Sequence, residues 1–240
     1  MVSEMEEYIL KEDSNNLKEY NKRVGNLDDG EDYIYHFNVL PQPFFGNVNN
    51  AKILLLAKNP SYSEFEDEYD TFLYKRQHKE ININNYNDLY YETLKDVNFF
   101  ANFDADCNKF FFNAWKWWRK NVIGNNVFMK EKYSSKDVAV LNLCGYHSKR
   151  YYDVNYNNYS KEYIKSIEFS KFELVIIVWG KDLWLPLLEG KVNKERIVFL
   201  NEYKDEFNNI RYGQKIIPIA KLLENGEKTV LKKFFYLNKK

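Results

Sequence analysis

Ala51-Lys52-Ile53-Leu54-Leu55-Leu56-Ala57-Lys58-Asn59-Pro60-Ser61-Tyr62-Ser63 is the stretch on which the reading of the fold depends. Residues 52–57 form a short apolar run with no polar alternation, closed by an Asn-Pro turn. Such a run is too short for an ordinary helix and reads as a buried strand. A strand that is apolar on both faces belongs in the middle of a mostly parallel sheet covered by helices.

Working outward, three further runs share this character: 137–143 (DVAVLNL), 174–179 (LVIIVW) and 196–200 (RIVFL), with a weaker fifth at 215–219. Helical segments fall between them. Residues 109–123 place Phe111, Trp115 and Trp118 at i, i+4 and i+7, so one side of that helix is buried. Residues 161–170 and 181–189 fill the gaps before and after the third strand. The alternation predicts an α/β fold, a three-layer α/β/α sandwich with a central, mostly parallel sheet of four to five strands. No repeat or linker divides the chain, so 1–240 is read as a single domain, with a helical N-terminal cap at 1–35 and a core at 38–200. Residues 81–87 and 155–158 read as surface loops.

Composition sets bounds on function. Lys plus Arg equal Asp plus Glu at 35 each, which argues against a polybasic binder driven onto phosphate by its overall charge. A local basic cleft remains compatible with that balance. Hydrophobic residues at 45% suffice for a sizeable core. The two cysteines, Cys107 and Cys144, are too few for a disulfide framework, a Cys₄ zinc site or an iron–sulfur cluster. No apolar run reaches the ~18 residues of a spanning helix, and the acidic N-terminus lacks the order of a secretion signal. The expectation is a monomeric cytoplasmic protein that uses no membrane, metal or cofactor.

In open α/β sheets ligands gather beyond the carboxyl ends of the strands. Those ends carry Lys58-Asn59-Pro60-Ser61-Tyr62, then Asn142 followed by Gly145-Tyr146-His147-Ser148-Lys149-Arg150-Tyr151-Tyr152, then Gly180-Lys181-Asp182, then Asn201-Glu202-Tyr203-Lys204. Amide side chains and one histidine thus converge on one end of the sheet. Lys149, Arg150, Tyr151 and Lys181 combine phosphate-binding cations with stacking faces, a pairing suited to a DNA surface. Charged and Tyr residues are also ordinary on any loop. No Gly-rich phosphate loop follows the first strand, which counts against a nucleotide-binding protein.

The stretch Leu40-Pro41-Gln42-Pro43-Phe44-Phe45-Gly46-Asn47, the strand at 51–57 and the turn Lys58-Asn59-Pro60-Ser61-Tyr62-Ser63 together resemble the first motif of the uracil-DNA glycosylase superfamily. There an Asp-Pro or Asn-Pro follows the first core strand. The strand ending in Asn142 looks like the family's base-reading strand. Val175 to Gly180, with Lys181 and Trp184, is similar to its apolar strand ending in Trp-Gly.

The resemblance implies hydrolysis of the bond between a base and the deoxyribose C1′, with the nucleotide flipped out of single-stranded or duplex DNA. It implies that Asn59 orients the attacking water, that Asn142 reads the base edge, and that Lys58, Ser61, Tyr62 and Phe65 border the substrate. Ser61 is small where strictly uracil-specific relatives carry a bulky Tyr against C5. The substrate implied is therefore a 5-substituted pyrimidine, in repair or in defence against viruses with modified DNA, unless Tyr62 or Phe65 closes the gap. The family's His-Pro-Ser is absent after the fourth strand. His147 is the candidate for its role toward the base anion, catalytic beside Asn59.

Each assignment has a structural counterpart. Asn59-Pro60 suits the start of a helix, Asn as N-cap and Pro at the first position. Asn142 suits the start of a turn, and His147 a buried structural site. His36 and His78 read as surface residues. The alternative at the level of the whole chain is a catalytically silent protein of this fold that binds nucleic acid or a protein partner.

Overall fold

A computed structural model of the protein describes residues 7–64, 68, 71, 72, 75, 137–152 and 159–199. The expected helix at 109–123, the weak strand at 215–219, the loops at 81–87 and 155–158, and Phe65, His78, Cys107 and Lys204 lie outside the described residues.

Four of the sequence-read strands are present, trimmed at their ends. They are β2 (Ile53–Ala57), β3 (Val138–Asn142), β4 (Leu174–Ile177) and β5 (Ile197–Phe199). The edge strand β1 (Phe44–Phe45) was not expected. It is two residues long, hemmed in by Pro43 and Gly46, and therefore offers no run or alternation to read. The sheet order is β1-β3-β2-β4-β5. β2 is parallel to both β3 and β4, and β4 is parallel to β5, while β1 runs antiparallel along β3. β2 to β4 are buried along their whole length, which is why their sequences are apolar without alternation apart from Asn142 at the end of β3.

The described helices are α1 (Lys11–Val24), α2 (Tyr159–Ser166) and α3 (Lys181–Leu188). The sequence reading of α2, 161–170, starts two residues late and ends four too far along; that end is instead a short 3₁₀ turn, Phe169–Lys171. Buried Leu17, Tyr20 and Val24 form the inward stripe of α1. The expected N-terminal cap is stitched to the rest of the molecule. The Tyr146 hydroxyl donates to buried Asp13 at 2.6 Å. The Asn21 amide brackets the Tyr35 backbone, donating to its carbonyl at 2.8 Å and accepting from its N–H at 2.9 Å. No helix among the described residues is long and apolar enough to cross a membrane.

The parallel ladder is lopsided at its carboxyl end. On the β3 side it continues past the strands: Leu143 N–H donates to Ala57 O at 3.0 Å and Cys144 N–H to Lys58 O at 2.8 Å. On the β4 side it stops at Leu56, whose carbonyl takes both Val178 and Trp179 N–H. There the indole N–H of buried Trp184, on α3, bonds the Ala57 carbonyl at 3.0 Å. The sheet therefore parts between β2 and β4. In this strand order that is where successive connections change direction, the usual location of a ligand crevice in an open α/β sheet.

Candidate functional site

Two loops leave neighbouring strand ends, and hydrogen bonds tie them together. After β2 the chain runs through Lys58, Asn59, Pro60 and Ser61 without entering a helix. After β3 it runs through Cys144, Gly145, Tyr146, His147 and Ser148. Ser148 N–H donates to Pro60 O at 3.3 Å. The Asn59 amide nitrogen reaches Pro60 O at 2.9 Å, Ser148 O at 3.1 Å and Ser148 Oγ at 2.9 Å. No donor among the described residues reaches Asn59 Oδ1. The reading of Asn59 as a helix N-cap is thereby corrected, because a cap accepts from backbone N–H groups through its side-chain oxygen. Here the side chain donates to backbone oxygens.

His147 is 2% exposed, and its Nδ1 lies 2.9 Å from the Ser61 carbonyl. A carbonyl only accepts, so Nδ1 carries the proton. The ring thus holds the Asn-Pro turn from the β3 side. His147 and His36 also face each other in an isolated antiparallel bridge, with His36 N–H on His147 O at 2.9 Å.

His36 corrects the expectation of a surface residue. It is half-buried and lies flat on Tyr62, ring centroids 3.4 Å apart and planes within 4°. Nothing near residue 36 signals this, because both of its partners come from distant segments. Burial pushes the Tyr62 phenol above its ordinary range. The neighbouring Glu68 and Glu64 carboxylates add to the rise, and the hydrogen bond with Asn38 opposes it. Tyr62 is thus committed to His36, while Ser61 beside it stays exposed.

The other predicted residues are more scattered. Lys58 leans over the opening between β2 and β4: a side chain on Gly180 would come within 3.0 Å of its Cγ. Gly180 has φ +82, a left-handed conformation that glycine adopts freely as it starts α3. The Lys58 ammonium sits 5.6 Å from the centre of the Tyr151 ring. Asn142 is buried, and its amide donates to Gln42 O at 2.7 Å, toward the β1 edge. Lys181 borders a groove of about 620 Å³ along α3, lined also by Leu185, Pro186, Val192 and Ile197.

Lys149 and Arg150 are exposed but not free. Lys149 lies 3.9 Å from Asp32, and Arg150 lies 3.2 Å from Asp32 and 3.8 Å from Asp29. Tyr33 and these carboxylates raise the Arg150 pKa further. Phe65 lies outside the described residues. Among those described, no group of three or more His, Cys, Asp or Glu is placed to hold a metal ion.

Together these contacts bring Asn59, Ser61, His147, Ser148, His36 and Tyr62 into one bonded cluster at the carboxyl end of the sheet. Ser148 is the member that the sequence reading passed over. Its hydroxyl has no motif of its own and acquires meaning only from the amide opposite. No family model matches the chain, and neither a curated protein nor a solved structure matches it.

Proposed function

We propose that the chain is a DNA glycosylase that hydrolyses the N-glycosidic bond of a flipped-out 5-substituted pyrimidine, in repair or in defence against DNA carrying modified bases. One observation carries the reading. The Asn59 amide, two residues past the end of β2, has its NH₂ engaged by Pro60 and Ser148 and its carbonyl oxygen unengaged among the described residues.

An oriented acceptor at that point suits a water poised for attack on C1′. Water adds its oxygen to C1′, the bonding electrons leave with the base nitrogen, and the surplus proton passes to solvent or to the departing base. The amide does not take up a proton at neutral pH. Its contribution is to align the water and to stabilise the oxocarbenium-like sugar through the carbonyl dipole. His147, with Nδ1–H on Ser61 O, holds the turn that carries Asn59; a role toward the base anion requires a second proton on the ring. Exposed Ser61 leaves room at C5 of a pyrimidine. Lys58, with its stem against Gly180, is a cation for a phosphate.

The test uses DNAs containing uracil, 5-hydroxymethylcytosine or glucosylated cytosine and scores alkali-labile abasic sites. The expected result is base release from a 5-substituted substrate that disappears in Asn59→Ala. The silent binder is the second reading, favoured by the absence of a carboxylate at position 59. It predicts DNA binding that Asn59→Ala leaves unchanged, with no base released from any substrate.

A further inference from the structure

We infer that Ser148 is the positioning residue for Asn59, and that the pocket it forms with Pro60 accepts an amide at position 59 and rejects a carboxylate. The inference rests on the glycosylase reading only for its catalytic consequence; the geometry stands by itself.

Three oxygens surround the Asn59 nitrogen: Pro60 O at 2.9 Å, Ser148 O at 3.1 Å and Ser148 Oγ at 2.9 Å. Two are backbone carbonyls and can only accept. The third is a hydroxyl whose single proton is already donated to Arg150 O at 2.8 Å, so it presents lone pairs to Asn59. All three therefore select for N–H. Rotating the amide by half a turn would set Oδ1 against two carbonyls and a hydroxyl that could donate to it only by giving up Arg150 O, beside a Ser148 that is 1% exposed. Such an arrangement leaves half-buried oxygens facing one another without donors, so the amide is held with its nitrogen toward Pro60 and Ser148.

A carboxylate in the same position has no N–H to offer. One of its oxygens would face the two carbonyls whichever way it turned, and only the Ser148 hydroxyl could reverse to donate to it. Repulsion of this kind favours the protonated acid. The carboxyl of Asn59→Asp is thus held protonated to a higher pH than an ordinary aspartate, and over that range it donates its own proton to a carbonyl. On this geometry Asn59 is the residue that the surrounding backbone demands, and it is not an impaired substitute for aspartate.

The direct measurement is carbon-13 NMR titration of the carboxyl in Asn59→Asp, which needs no activity. It should titrate about one pH unit or more above the ordinary aspartate value of about 3.9. In the double variant Asn59→Asp with Ser148→Ala the value should rise again, because the one group able to turn and donate is gone. A carboxyl that titrates at or below the ordinary value overturns the inference. So does a double variant that titrates lower than the single one.

In the unsubstituted protein the Asn59 side-chain NH₂ protons should exchange slowly with solvent, and faster in Ser148→Ala. Equal exchange rates in the two proteins count against positioning, and this readout remains if the aspartate variant does not fold. On a substrate that is processed, Ser148→Ala should lower kcat by up to about tenfold with KM little changed, and Ser148→Thr should restore it. Base release by Asn59→Asp should climb with pH as the carboxyl ionises, along the same curve as its NMR titration. Failure of the unsubstituted protein to release any base overturns the glycosylase reading alone, since the titration and the exchange rates still decide the geometry.

Discussion

The loop after β3 changes character within two residues. His147 and Ser148 are 2% and 1% exposed and are bonded into the Asn59-Pro60-Ser61 turn. Lys149 and Arg150, which follow directly, point into solvent and pair with Asp29 and Asp32 from the turn after α1. The first pair works at short range: neutral donors and acceptors, shielded from water, fix one geometry. The second works through charge in a high-dielectric setting, where each pair contributes little and salt screens it. One loop thus holds a rigid, buried support beside an adjustable charged rim.

The comparison is most easily broken at Asn59. Asn59→Ala should lower base release by about 10²- to 10³-fold, the usual range for removing one preorganised polar group at a reacting centre, with DNA affinity nearly unchanged. A rate equal to that of the unsubstituted protein removes the bonded cluster from the chemistry. Next comes His147→Ala, which deletes a buried ring and strips the Ser61 carbonyl of its donor. A loss of about 2–3 kcal/mol in urea-induced unfolding is expected. A midpoint that does not move would mean that the ring does not hold the turn.

The third prediction concerns pH and Tyr62. Its phenol is raised in the folded protein, chiefly by burial, whereas an unfolded phenol titrates near ~10. The stabilisation is therefore complete below that value and is lost as pH climbs through the folded one. Tyr62→Phe should flatten this alkaline limb in denaturation measured at successive pH values, and an unchanged limb would place its origin elsewhere. The smallest effect belongs to the rim. Asp32→Asn removes the carboxylate that Lys149 and Arg150 share, leaving Arg150 to Asp29 and Tyr33, and should tighten DNA binding a few-fold at low salt, with a steeper dependence of affinity on salt concentration. Binding that is insensitive to this change at every salt concentration would mean that nucleic acid does not contact these cations.

The amino-acid sequence carried the central strands plainly, because a strand covered on both faces must be apolar, as β2 and β4 are throughout and β3 is up to its last residue, Asn142. It also carried the Asn59-Pro60 turn, since proline forbids continuation of the ladder and marks where the strand has to end. Edge strand β1 escaped notice for the opposite reason: two phenylalanines beside a proline become a strand only because β3 offers them partners, Phe44 on Leu141 and Phe45 on Val140.

The tertiary structure alone decided which way the amide of Asn59 faces, that Ser148 serves it, and that His36 lies flat against Tyr62. Burial patterns repeat locally and leave a trace in sequence. A hydrogen bond between Asn59 and Ser148 joins residues of unremarkable type from distant parts of the chain, and its direction is set by two carbonyls that only accept and a hydroxyl whose proton already goes to Arg150 O. That information exists only once the strands are side by side.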